Sequence, residues 1–518
     1  MKTSEGKRLH PLSSVLLALR ALKDFLLPLL IIFVSQFFRG QSATGEYSYR
    51  ILFGAVFLVL AIVSGIWSWA VFRYGTKDGK LFVYQGVFFK KRQYIPYERI
   101  QSIDLTEGLL HRLFGLVRVQ VQTAGGQKPE AVLTAVTKEA AADLQLELRG
   151  RKRAEAVRDT QELGDERERE DADSGPEERF DSPAEVLEPA KDNVIMPKPS
   201  RRLPFGQLFI AGLTSGSLGV AFSLIFAAFT QLDEWFPNLF LYSNVARWGW
   251  RMLILAVLCI LLLAVLVAIL SAMIRFANFT VTRDGDELLI ERGLLEIKRV
   301  TLPIRRIQAI VIVEEPVWQP FGLASIQVES VGYGNEKGES TLLFPLLRKD
   351  EIRDFLKEFA PVFVQEEDKA YTPVSRKALP GYLFPVPAVL AVLTLIIGYF
   401  TKWGAIGWGL VVLFLLLGWW KYKTAGWIVD ADKVIFRYRR ISRMTAIIPR
   451  GRIQSYSVGR HPFQLRKGLC TAKATVASGG GGTEFRIKGM PAEEGLAILA
   501  WYRRWNVGPG RSADNRGG

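Results

Sequence analysis

Tyr94-Ile95-Pro96-Tyr97-Glu98-Arg99-Ile100-Gln101-Ser102 returns as Thr301-Leu302-Pro303-Ile304-Arg305-Arg306-Ile307-Gln308-Ala309, and again as Ile447-Ile448-Pro449-Arg450-Gly451-Arg452-Ile453-Gln454-Ser455. Pro-x-x-Arg-Ile-Gln therefore stands three times in one chain. Nineteen residues beyond each proline comes Gly-Leu, as Gly115-Leu116, Gly322-Leu323 and Gly468-Leu469. Ten residues further lies a turn of small residues, at Gly125-Gly126, Gly332 to Gly334 and Ser478 to Gly482. Equal spacing in three places is the mark of an internal repeat, and it organises the rest of the reading.

Working outward, the stretches before each proline (Leu81 to Tyr94, Leu288 to Leu302, Val434 to Ile448) are rich in β-branched and aromatic residues. Turn signals precede them at Asp78-Gly79, Asp284-Gly285 and Asp430 to Asp432, so strands and hairpins are expected there. Each copy closes on an expected helix: Lys138 to Leu148, Lys349 to Phe359 and Ala492 to Trp505. Several short strands and one helix predict a small, partly open barrel or curved sheet capped by that helix.

Between the copies lie six apolar segments, roughly Asp24 to Phe38, Ile51 to Phe72, Gln207 to Phe229, Trp250 to Ile274, Pro380 to Phe400 and Gly404 to Trp420. A spanning helix needs about 20 apolar residues. The middle four fit well, the first is short and the sixth is at the lower limit. Short gaps pair them as helical hairpins. Hydrophobic residues make up 49% of the 518, too many and too clustered for ordinary soluble domains. Lysine and arginine crowd the side that carries the three large loops, which places both termini and all three β domains in the cytoplasm. Boundary aromatics such as Trp67, Trp69, Trp235, Trp419 and Trp420 suit interfacial anchoring.

The formal charge of +16 is unevenly placed. Glu155 to Asp192 holds 15 acidic and 5 basic residues, a net of −10, which leaves +26 for the remainder. That excess flanks the apolar runs. It forms no aromatic and basic platform of the kind that binds single strands, so nucleic acid is not expected as a partner. The expected organisation is an N-terminal segment and first helix pair (1–73), domain 1 (74–150), an acidic disordered linker (151–203), a second helix pair (204–275), domain 2 (276–362), a connector and third helix pair (363–422), domain 3 (423–506) and a disordered tail (507–518).

Two cysteines, Cys259 and Cys470, exclude a disulfide scaffold, and three scattered histidines, His10, His111 and His461, match no metal-ligand spacing. No cofactor and no metal are expected. No nucleophile with a base and no carboxylate pair recurs, so the reading is non-enzymatic. Gly479 to Gly482 lacks the lysine and hydroxyl residue of a phosphate loop and reads as a hairpin turn.

The repeated Pro-x-x-Arg-Ile-Gln and Gly-Leu after paired apolar helices, with the opening Arg8-Leu9-His10-Pro11-Leu12, resembles the bacterial pleckstrin-homology-like (PH-like) multi-pass membrane proteins of the YdbT type. The resemblance covers nearly the whole chain apart from the acidic linker. It implies that each β domain is a PH-like barrel, and it raises a smaller PH-like membrane protein, or self-association, as a partner. The third copy departs by carrying Arg439 where the others have Gly86 and Gly293, so its early hairpin is expected to differ.

Two sets of residues are candidates for function. Basic clusters precede each proline: Lys90, Lys91 and Arg92; Lys298 and Arg299; Arg437, Arg439, Arg440 and Arg443. On domains tethered to a bilayer they would meet anionic lipid, each worth about 1 kcal/mol near the surface; the alternative is a solvated strand edge blunted by charge. The repeat residues themselves, Pro96, Arg99, Gln101 and Gly115, Pro303, Arg306, Gln308 and Gly322, Pro449, Arg452, Gln454 and Gly468, read as structural, with an anionic headgroup held by Arg99, Arg306 and Arg452 as the alternative. The expected function is a membrane scaffold in the bacterial cell membrane whose cytoplasmic domains bind anionic lipid headgroups or partner membrane proteins, with a role in envelope maintenance or tolerance of membrane-active peptides. The competing reading is a six-helix transporter or channel. The near absence of ionisable residues inside the six segments weighs against it.

Overall fold

The computed structural model describes residues 6–19, 22, 46–77, 79–86, 90–123, 129–147, 199–214, 223, 241–331, 341–365, 369–400, 404–478 and 482–506. The first apolar segment, most of the third, nearly all of the acidic linker, the tail and the turns at Gly125-Gly126, Gly332 to Gly334 and Gly479 to Gly481 lie outside the described residues. The chain forms two compact units. Unit 1 comprises residues 1–124, 129–198 and 296–300; unit 2 comprises 125–128, 199–295 and 301–518.

In unit 1, β1 (Arg73–Lys77), β2 (Lys80–Gln85) and β3 (Lys91–Pro96) make an antiparallel meander. A single 3-10 turn, Tyr97–Arg99, leads to a second meander of β4 (Ile100–Glu107), β5 (Leu116–Thr123) and β6 (Ala131–Thr137). Residues 138–147 follow as a helix. The strands alternate inward and outward side chains, as their period of two requires. Inward residues of both meanders and the helix share one core, with Leu81, Val83 and Ile95 against Ile100, Val119, Val121, Leu133 and Leu144. Burying each such aliphatic side chain contributes about 1.5–3 kcal/mol relative to exposure. The opening Arg8 to Leu12 segment is fastened to this copy: Lys7 bridges Tyr74, Leu9 is buried, and the Trp69 indole N–H donates to the Leu9 carbonyl at 3.0 Å.

The second copy runs β7 (Ser200–Arg202), β8 (Thr280–Asp284), β9 (Glu287–Arg292), β10 (Ile297–Pro303), a 3-10 turn at Ile304–Arg306, β11 (Ile307–Glu314), β12 (Leu323–Ser330), β13 (Thr341–Arg348) and a helix at Lys349–Phe359. The third runs β14 (Thr372–Pro373), β15 (Gly426–Val429), β16 (Lys433–Arg439), β17 (Arg443–Pro449), a 3-10 turn at Arg450–Arg452, β18 (Ile453–Gly459), β19 (Leu469–Val476), β20 (Thr483–Pro491) and a helix at Ala492–Asn506. Within unit 2 a continuous seven-stranded sheet has the order β13-β12-β11-β17-β16-β15-β14, while β18-β19-β20 stand as a separate three-stranded sheet.

Pro-x-x-Arg-Ile-Gln is the corner between the two meanders of a copy. Its proline caps one 3-10 turn and its isoleucine leaves that turn extended, with φ of −72°, −68° and −76° in the three copies. The residue after the proline donates its N–H back to the first hairpin turn, Tyr97 to Gly79 (3.1 Å), Ile304 to Asp286 (2.8 Å) and Arg450 to Asp432 (2.6 Å). Ile100, Ile307 and Ile453 are buried behind it. The glycine of Gly-Leu sits at φ +65° in every copy with open space where a Cβ would stand, so backbone conformation and not room explains the residue.

The apolar segments are helical where described. Two stretches, Leu258–Phe276 and Arg376–Tyr399, are long and apolar enough to cross a membrane among the described residues, against the six expected; Val59–Val71 is a shorter apolar helix. Val59–Val71 and Leu258–Phe276 belong to the longer helices Glu46–Val71 and Leu241–Phe276, whereas Arg376–Tyr399 runs from a 3-10 turn (Arg376–Ala378) through a short helix (Leu379–Leu383) into the helix Pro385–Phe400, which forms a hairpin with Gly404–Thr424. Gly407 and Gly418 stand where a Cβ would collide with Thr394 and with the Tyr382 carbonyl, so small residues set that close approach. Leu258, Leu262, Leu266, Val389 and Leu395 are exposed, which suits a lipid-facing surface.

Candidate functional site: the strand junctions and the basic clusters

The first strand after each corner has a glutamate eleven residues beyond the proline in copies 1 and 2, Glu107 and Glu314. Both carboxylates are buried, at 3% and 5% exposure. An isolated buried carboxylate is costly, so each must be paired. In unit 2, β11 takes β17 as its antiparallel neighbour with Arg443 opposite Glu314. The Arg443 guanidinium grips Glu314 in a two-point contact, Nε to Oε1 at 2.6 Å and Nη2 to Oε2, and Lys349, the first residue of the closing helix, adds a second cation. In unit 1, Ile297–Arg299 pair with β4 in the same way, with Ile297 opposite Glu107. Arg299 reaches Glu107 at 3.3 Å and Lys138, the first residue of that helix, at 2.9 Å.

The registers coincide. The residue six before the proline of the later copy stands opposite the residue eleven after the proline of the earlier copy in both junctions. Two members of the basic clusters, Arg299 and Arg443, are thus committed to interstrand ion pairs. Arg437 and Arg439 are also taken up. Arg439 donates to Thr424 Oγ1 (3.1 Å), the Ile441 carbonyl (3.0 Å) and Gln319 Oε1 (2.8 Å), with its guanidinium 3.9 Å from the Trp420 ring centroid. Arg437 lies 3.7 Å over Tyr371 and donates to the Thr424 carbonyl. Burial pushes both guanidinium groups below their ordinary value. The third hairpin does differ: β16 continues through Arg439, which pairs with Arg443 across a tight turn, where Gly86 and Gly293 adopt positive φ in the other copies.

Lys90, Lys91, Arg92 and Arg440 are exposed, as is Lys298 beside Glu296 at 3.7 Å. Arg92 lies 5.6 Å from the Tyr84 ring centroid. Of the repeat residues, Arg99 is exposed, Gln308 donates to the Arg306 carbonyl (3.2 Å), Arg452 donates to the Arg305 carbonyl, and the Tyr502 hydroxyl donates to the Gln454 carbonyl (3.2 Å). Gln101 is in strand β4, and its side chain lies outside what the structure describes. No group of three or more metal-ligating side chains occurs among the described residues. His111 is buried with Nε2 2.8 Å from the Thr134 carbonyl, and His10 Nδ1 accepts from the Leu12 N–H. The two junction glutamates were not singled out from sequence; aligning the copies on their prolines would have exposed them.

Paired meanders closed by a helix, recurring behind apolar helices, are the form of a bacterial PH domain protein of the membrane. The Bacterial PH domain family model matches residues 20–162, 221–361 and 380–505, and the chain belongs to that family. It is similar to the UPF0699 transmembrane protein YdbT of Bacillus subtilis (strain 168), 33% identical over 517 residues that cover 96% of this chain and 98% of that protein. No solved structure matches.

Proposed function

We propose that this chain is a non-enzymatic membrane scaffold, with six membrane-crossing helices and three PH-like barrels on the cytoplasmic side, that holds PH-like units edge to edge. The observation that supports it is the junction between β11 and β17, sealed by buried Glu314 with Arg443 and Lys349. Cations that a lipid-binding surface would use are spent there on joining one copy to the next, so protein partners of the same build are the favoured ligands. The exposed Lys298 and Arg440, with Lys90, Lys91 and Arg92 wherever no partner strand covers them, remain for anionic headgroups. A part in envelope maintenance or tolerance of membrane-active peptides is the physiological extension. The test is affinity purification from native membranes with protein and lipid mass spectrometry. Recovery of a PH-like membrane protein is expected; recovery of neither such a protein nor anionic lipid above its bulk share overturns the reading.

A further inference from the structure

Each junction uses the strand before a corner from one copy and the strand after a corner from the copy preceding it. Two of the strands that flank corners are left out of these junctions. Within unit 1, β3 pairs with β2 alone among the described residues, and within unit 2, β18 pairs with β19 alone. An open strand edge is a template for another chain unless it is blunted. The two edges differ in that respect. β18 and its end read Ile453-Gln454-Ser455-Tyr456-Ser457-Val458-Gly459-Arg460, so Arg460 stands where copies 1 and 2 have glutamate. Its closing helix starts at Ala492, where the others start with lysine. By contrast, β3 carries Lys91-Arg92 at the positions held in copy 2 by Lys298-Arg299, which are paired to β4. Lys91, Arg92 and Tyr94 are exposed on it, Tyr94 at 59%.

We infer that the free edge of β3 receives the post-corner strand of a different polypeptide of the same family, one that carries a carboxylate eleven residues beyond its corner proline. The register used twice in this chain dictates the fit. Lys90 would face that carboxylate, and Tyr94 would face the residue seven beyond the partner's proline, as Ile447 faces Ile310. A second copy of this chain does not fit. Its β18 would set Arg460 against Lys90, and like charges directly opposite across strands are destabilising. Its carboxylates Glu107 and Glu314 are already engaged. The inference rests on the scaffold reading and adds which edge is used and by what chemistry.

The test is photo-crosslinking in native membranes with benzoylphenylalanine replacing Tyr94 in the full chain, mapped by mass spectrometry. The expected adduct lies on a second protein, near the seventh residue beyond its corner proline, and falls about fivefold or more in K91E/R92E. A second measurement reverses the charge argument: Arg460→Glu is expected to create an adduct between two copies, from position 94 to Tyr456, that the parent lacks. Adducts confined to lipid, to this chain or to proteins without the PH-like corner overturn the inference, as does absence of the copy-to-copy adduct in R460E. If affinity purification recovers a PH-like partner but no adduct forms at position 94, the edge assignment fails while the scaffold reading stands.

Discussion

The junction at Glu314 and the junction at Glu107 share one register and one trio of charges, yet they are not equally strong. At Glu314 the ladder runs over five residue pairs and the arginine contact is two-pronged; at Glu107 it runs over three and the contact is single. Arg443 retains 25% of its side-chain exposure and Arg299 retains 42%. Burial and bidentate geometry strengthen an ion pair, and they also raise the cost of orphaning one partner. A common architecture therefore sets where the carboxylate goes, and local burial sets how much depends on it.

Glu314→Ala is expected to have the largest effect, about 3–5 kcal/mol lost from unit 2, because it leaves Arg443 and Lys349 without the buried carboxylate that both of them contact. Thermal unfolding in detergent reads this, and Glu107→Ala should cost less than half as much. Equal losses would mean that burial does not separate the two junctions. Arg439→Ala comes next, at about 2–3 kcal/mol, since three hydrogen bonds and the Trp420 contact go together. Substituting Gly468 by alanine should cost about 1–2 kcal/mol through its positive φ alone, and Gly115→Ala and Gly322→Ala should match it, because the three Gly-Leu turns share one φ and the same open space. Urea unfolding of the variants compares them directly.

The smallest effect expected is with pH. Burial lifts the Glu315 carboxyl to about 7. An acid whose folded value is raised binds its proton more tightly in the folded state, so stability falls as pH rises from the ordinary glutamate range to about 7 and is level above that. A loss on the order of 1 kcal/mol is expected between pH 5 and pH 8, after allowing for partial solvent contact. Glu315→Gln should flatten the profile, and a profile unchanged by that substitution would place the titration elsewhere.

Much of the local structure could be read in the residues. The closing helices were expected at Lys138 to Leu148, Lys349 to Phe359 and Ala492 to Trp505, and they occur at 138–147, Lys349–Phe359 and Ala492–Asn506. Amphipathic period and N-terminal acids at Asp350, Glu351, Glu493 and Glu494 mark them locally. The altered third hairpin was legible from Arg439 for the same reason. What was not legible is the role of Arg299, Arg437, Arg439 and Arg443. A cation in a strand looks the same whether it faces water, lipid headgroups or a buried partner, and the glutamates of Arg443 and Arg299 lie 129 and 192 residues away, while Arg439 reaches Gln319 across 120. Edge pairing between strands leaves no period in the sequence, and only comparing the copies, Glu107 and Glu314 against Arg460, hints at it.

The direction of the junctions bears on biosynthesis. The edge of β4 is completed by Arg299, which enters the chain 192 residues after Glu107. At about 5–20 residues per second, a ribosome leaves that edge and its buried carboxylate without the arginine for roughly 10–40 s. During that interval Lys138 is the one junction cation already made, and the half-finished first copy presents to the cell the same kind of open strand that its later copies are built to cover.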